Sequence, residues 1–585
     1  MNNGKNYAAI ILAAGLSSRM GDFKAMMPFD GIPAIVNLIR NFKLAGIRDI
    51  FVVTGHRADL LEEVIEQEQV RGVFNRSYEK GMFSSIKTGV AALGKQTDAF
   101  FLLPVDYPLI PARAFMDMMD IFDEMSGCFL IPCYDGKKGH PPLFPYEMAG
   151  SILAYDGEGG LKGFTLKHEN RMRRAQLDFE ELVMDMDTYE EYGEMAAHYD
   201  KMQAPDEKKC LSLLERYQVP DVVRQHSIAV AQLAVRIGAE LNEQGAGLDL
   251  CLIRSAALLH DIAREQRHHW SAGAETARQH GIFRAAELIE HHMFYIRKPG
   301  DSRIAEIDVL CLADKQFSGS KFVTLKERAM PIMERFKDDP EALEMIRRRF
   351  HSASMFKAQI LKMTGKTVED IWTQVLSDEK TPIRRRIFLV RHGQTRRHRE
   401  KIYLGQTDVR LSSQGREQAE KTAERLMSLA PKATKIYCSD LARSIQTAEI
   451  IAARLFSGRK QVILPSAEFR EMKLGSWDGL YISEVLERYP EEYKKRGESP
   501  VIFKIDQDSE NYYDLRYRAM KKLNCLIETE TDEDIVLVAH AGVNAVIRSS
   551  LEHIPLEEAI GMKQEHGSIH VIELGGDKQK DPDPE

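Results

Sequence analysis

The stretch Arg385–His398, RRIFLVRHGQTRRH, runs four apolar residues straight into Arg391-His392-Gly393. That pattern predicts a buried strand ending in an exposed cation and an imidazole. Earlier in the chain, His226 lies in VVRQHSIAVAQLA, His260-Asp261 follow an apolar face in IRSAALLHDIAR, and Asp314 lies in DVLCLADKQ. All three segments have helical periodicity. Mixed imidazole and carboxylate donors suit Mn²⁺, Fe²⁺, Zn²⁺ or Mg²⁺, with water left as nucleophile. Near the start, ILAAGLSSRMGDFKAM follows an apolar strand. Its small residues Gly15, Ser17, Ser18 and Gly21 would let main-chain N–H groups approach an anion at the strand's carboxyl end. Arg19 and Lys24 add cations for a triphosphate. The loop is neither a P-loop, lacking GK[ST], nor GxGxxG. Asp106 leaves the strand FFLLPVD, and Asp185 and Asp187 follow an apolar pair in VMDMDTYEEY. Two separated carboxylates suited to Mg²⁺, beside a triphosphate cradle, fit in-line nucleotidyl transfer to a phosphate acceptor.

Positioning these groups takes more than one core. At 585 residues the chain exceeds what a single hydrophobic core spans. Residues 1–200 alternate continuous apolar strands (YAAIILAAG, IRDIFVVTG, DAFFLLPVD) with helical periods (IPAIVNLIRNFKLAG, ADLLEEVIEQ). This predicts an α/β unit whose parallel sheet is covered on both faces. Residues 206–378 carry helical periodicity with almost no β-rich run and read as all-α. Residues 384–578 return to α/β, with strands RIFLV, KIYCS, QVILP, DIVLVAH and SIHVIEL. The polar, Pro-containing stretches YDKMQAPDEKK and SDEKTPIRRR read as linkers, and GGDKQKDPDPE as a frayed tail.

The net charge of −8 gives no basic surface for nucleic acid. No apolar window reaches membrane-span length, and the run Tyr7–Ala14 is too short for a secretory core. Seven cysteines without a CxxC pair read as reduced thiols in a cytoplasmic protein.

The pattern LAAGLSSRMGDFK, with VVTGH, NRSYEKGMFSSIKTG, DYP, GHPPLF and DMDT in order, resembles the molybdopterin nucleotidyltransferases, and more specifically their molybdenum cofactor cytidylyltransferase branch. The resemblance implies a Rossmann-like fold that transfers a nucleotide from CTP, with Mg²⁺, to a molybdopterin-type phosphate. Ala13, Ala14, Gly15, Arg19, Lys24, Asn75, Gly81 and Ser85 would bind nucleotide, with Gly139-His140-Pro141 and Asn75 toward the acceptor. Asp106 and Asp187 would hold Mg²⁺, and a molybdoenzyme or its chaperone would be the protein partner. The choice of CTP over GTP rests on Ala14. A sugar-phosphate or corrinoid acceptor stays open.

The ordered set His226, His260-Asp261, Asp314 resembles the HD phosphohydrolase superfamily, which implies a divalent metal and a phosphate-ester substrate, or a domain that only binds nucleotide. His269 and His292 match extra ligands of two-metal relatives, with His268 and His291 as open alternatives. VRHGQT, followed by Arg443 in YCSDLARSIQTAEI, Glu471 in FREMKLGSWDG and His540 in LVAHAGV, resembles the phosphoglycerate mutase-like histidine phosphatases, nearest the α-ribazole phosphatase-like members. The resemblance implies metal-free phosphoryl transfer to His392. Arg391, Arg443 and His540 would surround the phosphoryl oxygens, Gln406 and Thr407 would lie near the pocket, and Glu471 would give the leaving oxygen its proton.

Overall fold

The computed structural model describes residues 4–15, 23–125, 127–298, 301, 303–378, 385–397, 401–458, 461–529 and 534–574. Arg19, most of the SDEKTPIRRR stretch and the GGDKQKDPDPE tail lie outside these residues. The chain divides into two compact units, Met1–Gln203 with Ser271–Ala286, and Ala204–Trp270 with Glu287–Glu585. The stretch read as a linker, YDKMQAPDEKK, is mostly helical. Only Ala204-Pro205-Asp206 separates two helices, and the Asp206 carboxylate caps the second by accepting from Lys209 N at 2.7 Å.

In the first unit the strands of the main sheet are β1 (Tyr7–Leu12), β2 (Asp49–Thr54), β3 (Arg71–Phe74), β4 (Ala99–Pro104), β5 (Phe129–Tyr134), β6 (Lys137–Lys138), β7 (Leu143–Pro145) and β8 (Met172–Gln176). Among the described residues they form one sheet in the order β8-β5-β7-β4-β1-β2-β3, with β6 on β5. The expectation of a parallel sheet needs correction. β7 runs antiparallel to both β4 and β5, and β6 antiparallel to β5, so the sheet is mixed. A hairpin-like return through Gly136 places β7 there, and no helical crossover intervenes. Both faces are covered, as the continuous apolar strands require. Ala9 and Ile11 of β1 pack with α1 (Ala34–Leu44), α2 (Asp59–Gln67) and α4 (Ala112–Asp123). Ala8 and Ile10 pack with α3 (Met82–Ala91) on the other face. β1 lies between β2 and β4 in parallel register, with Leu12 beside Pro104. The residues leaving β1 and β4 therefore emerge side by side.

In the second unit, α5 (Asp221–Asn242), α6 (Leu250–Leu259) and α7 (Glu306–Lys315) pack on one another. The all-α expectation fails at one place. Phe317–Ser318 and Lys321–Phe322 form an antiparallel hairpin. Gly319, with φ of 58°, makes the tight reversal possible, and Phe317 and Phe322 pack on Trp372. The strands β9 (Arg385–Arg391), β10 (Lys435–Ser439), β11 (Val462–Ser466), β12 (Ile535–Ala539) and β13 (Ile569–Leu574) form a sheet in the order β11-β10-β12-β9-β13. Among these, β13 alone runs antiparallel. Helices α8 (Ser413–Leu429), α9 (Ala442–Leu455), α10 (Tyr512–Thr529) and α11 (Ala541–Glu552) complete the unit's α/β part. Among the described residues no helix is long and apolar enough to cross a membrane.

Candidate active sites

The parallel pairing of β1 with β4 puts the loop after β1 beside Asp106. Met186 N donates to the Asp106 carbonyl at 3.0 Å, which draws Asp187 to the same spot. Ala13, Ala14, Gly15, Lys24, Gly81, Ser85, Asp106 and Asp187 all line one cleft of about 440 Å³. Lys24 Nζ lies 2.6 Å from Asp187 Oδ1 and 4.0 Å from Asp106 Oδ2. Burial pushes the Asp106 carboxyl up to about 6, against the pull of Lys24 and with help from Asp187 and Asp185. Its Oδ1 is buried without a hydrogen-bond partner. An orphaned carboxylate oxygen beside a second carboxylate fits a hard divalent cation.

Asn75 does not line the cleft. It is 2% exposed, and its amide donates to Ser84 Oγ at 2.8 Å and Ser85 Oγ at 3.0 Å, so it stands behind the wall and orients Ser85. Gly139, His140 and Pro141 are not in the lining either. His140 packs against Tyr107 with ring centroids 4.4 Å apart, and burial lowers its pKa to about 4. Arg19 lies outside the described residues. The sequence reading passed over Tyr78 and Met82, which also line the cleft.

The second site gathers residues from five helices or their ends. His226 projects from α5 and Asp314 from α7, as their helical patterns predict. His260 and Asp261 do not sit within a helix. α6 ends at Leu259, and His260 caps it, turning the pair into the site. His226 Nε2 lies 3.3 Å from Asp314 Oδ1 and 4.0 Å from Asp261 Oδ2. His260 Nε2 lies 3.7 Å from Asp261 Oδ2 and 3.8 Å from Asp314 Oδ1. His269 Nε2 is 3.5 Å from Asp261 Oδ1, and Asp261, His269 and His292 bring their ligand atoms within 4.8 Å of one another. His268 and His291 point elsewhere and are exposed.

Second-layer hydrogen bonds orient the rings. His226 Nδ1 donates to the Gly319 carbonyl (2.9 Å), His260 Nδ1 to Ala257 (2.7 Å) and His292 Nδ1 to Ile289 (2.6 Å). A carbonyl only accepts, so each of these rings carries a proton on Nδ1 and turns Nε2 toward the site. His260 Nε2 is buried with no hydrogen-bond partner. Burial acts to lower His226, but the Asp314 hydrogen bond and charge hold it above its usual value. Burial would raise Asp314, yet His226 and His260 keep it well below the carboxylate range. Burial brings His292 down to about 4. Imidazole Nε2 atoms turned toward ionised carboxylates fit a divalent metal, which would displace the proton His226 shares with Asp314. Among the residues missed at sequence level are Gly319, which the hairpin presents, and Arg264, 3.3 Å from Asp261 Oδ1.

The third site lies at the carboxyl ends of β9 and β12, where parallel register sets Arg391 opposite Ala539. His392 N donates to the Ala539 carbonyl at 3.0 Å, so His392 and His540 leave neighbouring strands together, with ring centroids 5.0 Å apart. The expected exposure is wrong. His392 is only 6% exposed, and Arg391 is half-buried, with Nη1 on the Gln564 carbonyl. The loop before β13 closes over them, since Gly567 N donates to the Arg391 carbonyl at 3.0 Å.

His392 Nδ1 donates to the Gly393 carbonyl at 2.8 Å, which leaves Nε2 as the lone-pair nitrogen. Burial, then Arg443, holds its pKa well below the usual imidazole value. Arg443 is fixed by carbonyls, with Nη1 to Thr407 at 2.8 Å and Nη2 to Gly405 at 2.7 Å, and its Nε donates to His540 Nδ1 at 3.3 Å. Arg391 Nε is buried without a partner. Glu471 accepts from Met472 N at 3.0 Å and Gly542 N at 3.3 Å, and Gln406 Nε2 donates to its carbonyl at 3.1 Å. Sequence reasoning missed His566, whose ring centroid is 5.5 Å from that of His392, and Arg518, which donates to the Glu471 carbonyl at 3.0 Å. His566 comes from a loop outside the motifs, and Arg518 closes the stretch SENYYDLRYR in the first half of α10, where no role for it was assigned.

Residues 387–580 match the model of the histidine phosphatase superfamily, branch 1. The chain is 35% identical over 193 residues, 33% of its own length and 81% of the relative, to phosphoglycerate mutase-like protein 4 of Arabidopsis thaliana. The chain belongs to the histidine phosphatase superfamily. This histidine phosphatase carries two further domains. Residues 9–172 match the MobA-like NTP transferase domain and residues 223–316 the HD domain. It is also 30% identical to the glucosyl-3-phosphoglycerate phosphatase of Mycolicibacterium vanbaalenii, covering 34% of this chain and 88% of the relative. Its N-terminal part is 27% identical to the molybdenum cofactor cytidylyltransferase of Escherichia coli, covering 31% of this chain and 92% of that relative. The chain is thus a multidomain enzyme with nucleotidyltransferase and phosphatase domains and an HD domain that implies a divalent metal.

Proposed function

We propose that the C-terminal module, residues 384–578, hydrolyses a small phosphate ester through phospho-His392. The observation that carries this reading is a buried imidazole tied through Nδ1 to the Gly393 carbonyl, with His540 beside its ring and the charges of Arg443 and Arg391 acting on it. Nε2 attacks phosphorus as the ester oxygen departs, and the Glu471 carboxyl gives that oxygen its proton. Arg391, Arg443 and His540 spread the charge of the three equatorial oxygens. Water then attacks phosphorus, Glu471 accepts its proton, and the P–N bond breaks with its electron pair returning to Nε2, so phosphate leaves and neutral His392 is restored. Gln406 holds the main chain of Glu471, and Thr407 holds Arg443. No step calls for a metal. Acid-labile, base-stable label on rapidly quenched enzyme, absent from His392→Ala, is the expected result. Turnover persisting in His392→Ala would refute it.

The N-terminal module, residues 1–200, is read as transferring a cytidylyl group from CTP to a molybdopterin-type phosphate. The cleft formed by Ala13-Ala14-Gly15, Lys24, Gly81 and Ser85 supports this, as does the likeness to a molybdenum cofactor cytidylyltransferase. Asp106 and Asp187 would hold Mg²⁺, which supplies charge neutralisation at the triphosphate. Lys24 faces the leaving pyrophosphate, and Asn75 fixes Ser85 against the nucleotide. The test measures pyrophosphate release with each NTP and molybdopterin cofactor. Release with GTP alone would change the base, and release with a sugar phosphate or corrinoid phosphate alone would change the acceptor.

The central module, residues 206–378, is read as a phosphohydrolase. His226, His260, Asp261 and Asp314 would hold one divalent metal, Mn²⁺, Fe²⁺, Zn²⁺ or Mg²⁺, with His269 and His292 extending the site toward a second. Such a centre supplies an activated water. The chain's own contribution is to fix each ring through its Nδ1 hydrogen bond and to keep the carboxylates ionised. A cytoplasmic setting completes the reading, in keeping with cysteines that form no CxxC pair.

A further inference from the structure

Outside all three sites, Cys251 and Cys525 meet where the HD helices pack on the phosphatase fold. Cys251 is in the first turn of α6, Cys525 is near the end of α10, and their Sγ atoms lie within 4.8 Å of each other together with an Asp249 oxygen. The two thiols are hydrogen-bonded, and the Cys251 N–H also points at Cys525. An ion pair between Glu243 and Lys435, 3.6 Å apart, joins the same two modules. Cys251 is buried and Cys525 is half-buried, so Cys525 is the more accessible of the two.

We infer that Cys251 and Cys525 are a thiol pair that closes to a disulfide between the HD and phosphatase modules by exchange with a low-molecular-weight disulfide. Thiolate is the attacking form. The Cys251 thiol, the Cys251 N–H and Lys522 all favour the thiolate of Cys525. Cys525 Sγ attacks the disulfide R–S–S–R and displaces one thiolate, leaving Cys525–S–S–R. Cys251 then loses its proton to the departing thiolate and attacks Cys525 Sγ, which releases the second. Two protein thiols are oxidised by two electrons, one R–S–S–R becomes two R–SH, and both protein protons leave with the products.

A metal is the rival occupant of these donors, but it fits less well. A closed thiolate site takes four ligands. Here two sulfurs and one carboxylate converge, and Asp249 already caps α6 by accepting from Leu252 N at 3.0 Å. Closure would matter because both helices lead to active sites. α6 ends at Leu259, just before His260-Asp261, and α10 carries Arg518, which holds the Glu471 main chain.

The test treats the full chain with oxidised glutathione, traps free thiols by alkylation and maps peptides by mass, with and without zinc present. The expected product is a single cross-linked peptide pair holding Cys251 and Cys525, with two of the seven thiols lost. Cys251→Ser should stop at a glutathione adduct on Cys525, and Cys525→Ser should give no cross-link. A wild-type protein that stops at the mixed disulfide, cross-links other cysteines or resists oxidation would overturn the proposal. So would stoichiometric zinc retained on these two thiols in the purified protein. The wild-type map is decisive even where a serine variant folds poorly.

Discussion

His392 can act as a nucleophile only while neutral. Its pKa is held well below the imidazole range by burial and by Arg443, so the unprotonated ring persists on the acid side. The phosphatase should therefore keep turning over p-nitrophenyl phosphate below about pH 6, where an ordinary histidine of pKa ~6.5 would be largely protonated. A pH–rate profile checks this, and an acid limb centred near the ordinary value would contradict it. His392→Ala should lose about 10⁴-fold or more in kcat, as removal of a nucleophile does. Gly542 offers a finer test. A methyl there would run into Glu471 Oε1, so Gly542→Ala should push the carboxyl out of line. A misplacement of this order costs about 10²-fold in kcat. The loss should be smallest with p-nitrophenyl phosphate, whose leaving oxygen needs little protonation.

At the scale of elements, the turn after β9 and the start of α8 meet through two facing glycines. A methyl on Gly393 would meet the Gly415 carbonyl, and a methyl on Gly415 would meet the Gln394 carbonyl. Backbone cannot yield as a side chain can, so this contact fixes the angle at which His392 leaves its strand. Gly393→Ala should destabilise the fold by about 3 kcal/mol, an overpacking cost, and lower kcat as well. Thermal melting and p-nitrophenyl phosphate kinetics on one preparation measure both. In the HD module the corresponding junction is the end of α6, where helix termination swings Asp261 toward His226 and His260. Asp261→Ala removes a carboxylate shared by both halves of the cluster. Purified variant protein should contain at most half the wild-type divalent metal by elemental analysis, and equal content would remove Asp261 from the site.

Across the whole molecule the chemistries should separate by pH and by chelator. Asp106 is raised to about 6 by burial, so it gains a proton as pH falls through that value and can no longer hold a cation. Nucleotidyl transfer should fall away below about pH 6, while phosphatase turnover by the same preparation continues. EDTA should likewise stop the first and spare the second. Pyrophosphate release and p-nitrophenol release, followed in parallel on the full chain, test both contrasts. Loss of the two activities together would mean that the reading of separate chemistries is wrong.

Strand-end signatures were legible in the sequence because each motif is contiguous and its strand is a continuous apolar run. Ala13-Ala14-Gly15, Asp106, Arg391-His392 and His540 all lie just past such runs. The helical periods around His226 and Asp314 were legible for the same reason. What lay between the elements was not. Composition gives no sign that a glycine hairpin would bring the Gly319 carbonyl to His226, because the strands are two residues each. The choice of His269 and His292 over their neighbours turned on which ring faces inward, a matter of helix phase and termination. Asn75 moved from the cleft wall to its support because burial decides contact and sequence order does not. His392 was expected at the surface, but the loop before β13, distant in sequence, folds over it. The sequence by itself determined which groups are present and which strand or helix carries each, since those follow from local periodicity. Only the tertiary structure decided burial, and with it the lowered pKa of His392 and the raised pKa of Asp106, because desolvation depends on every segment that packs around a group.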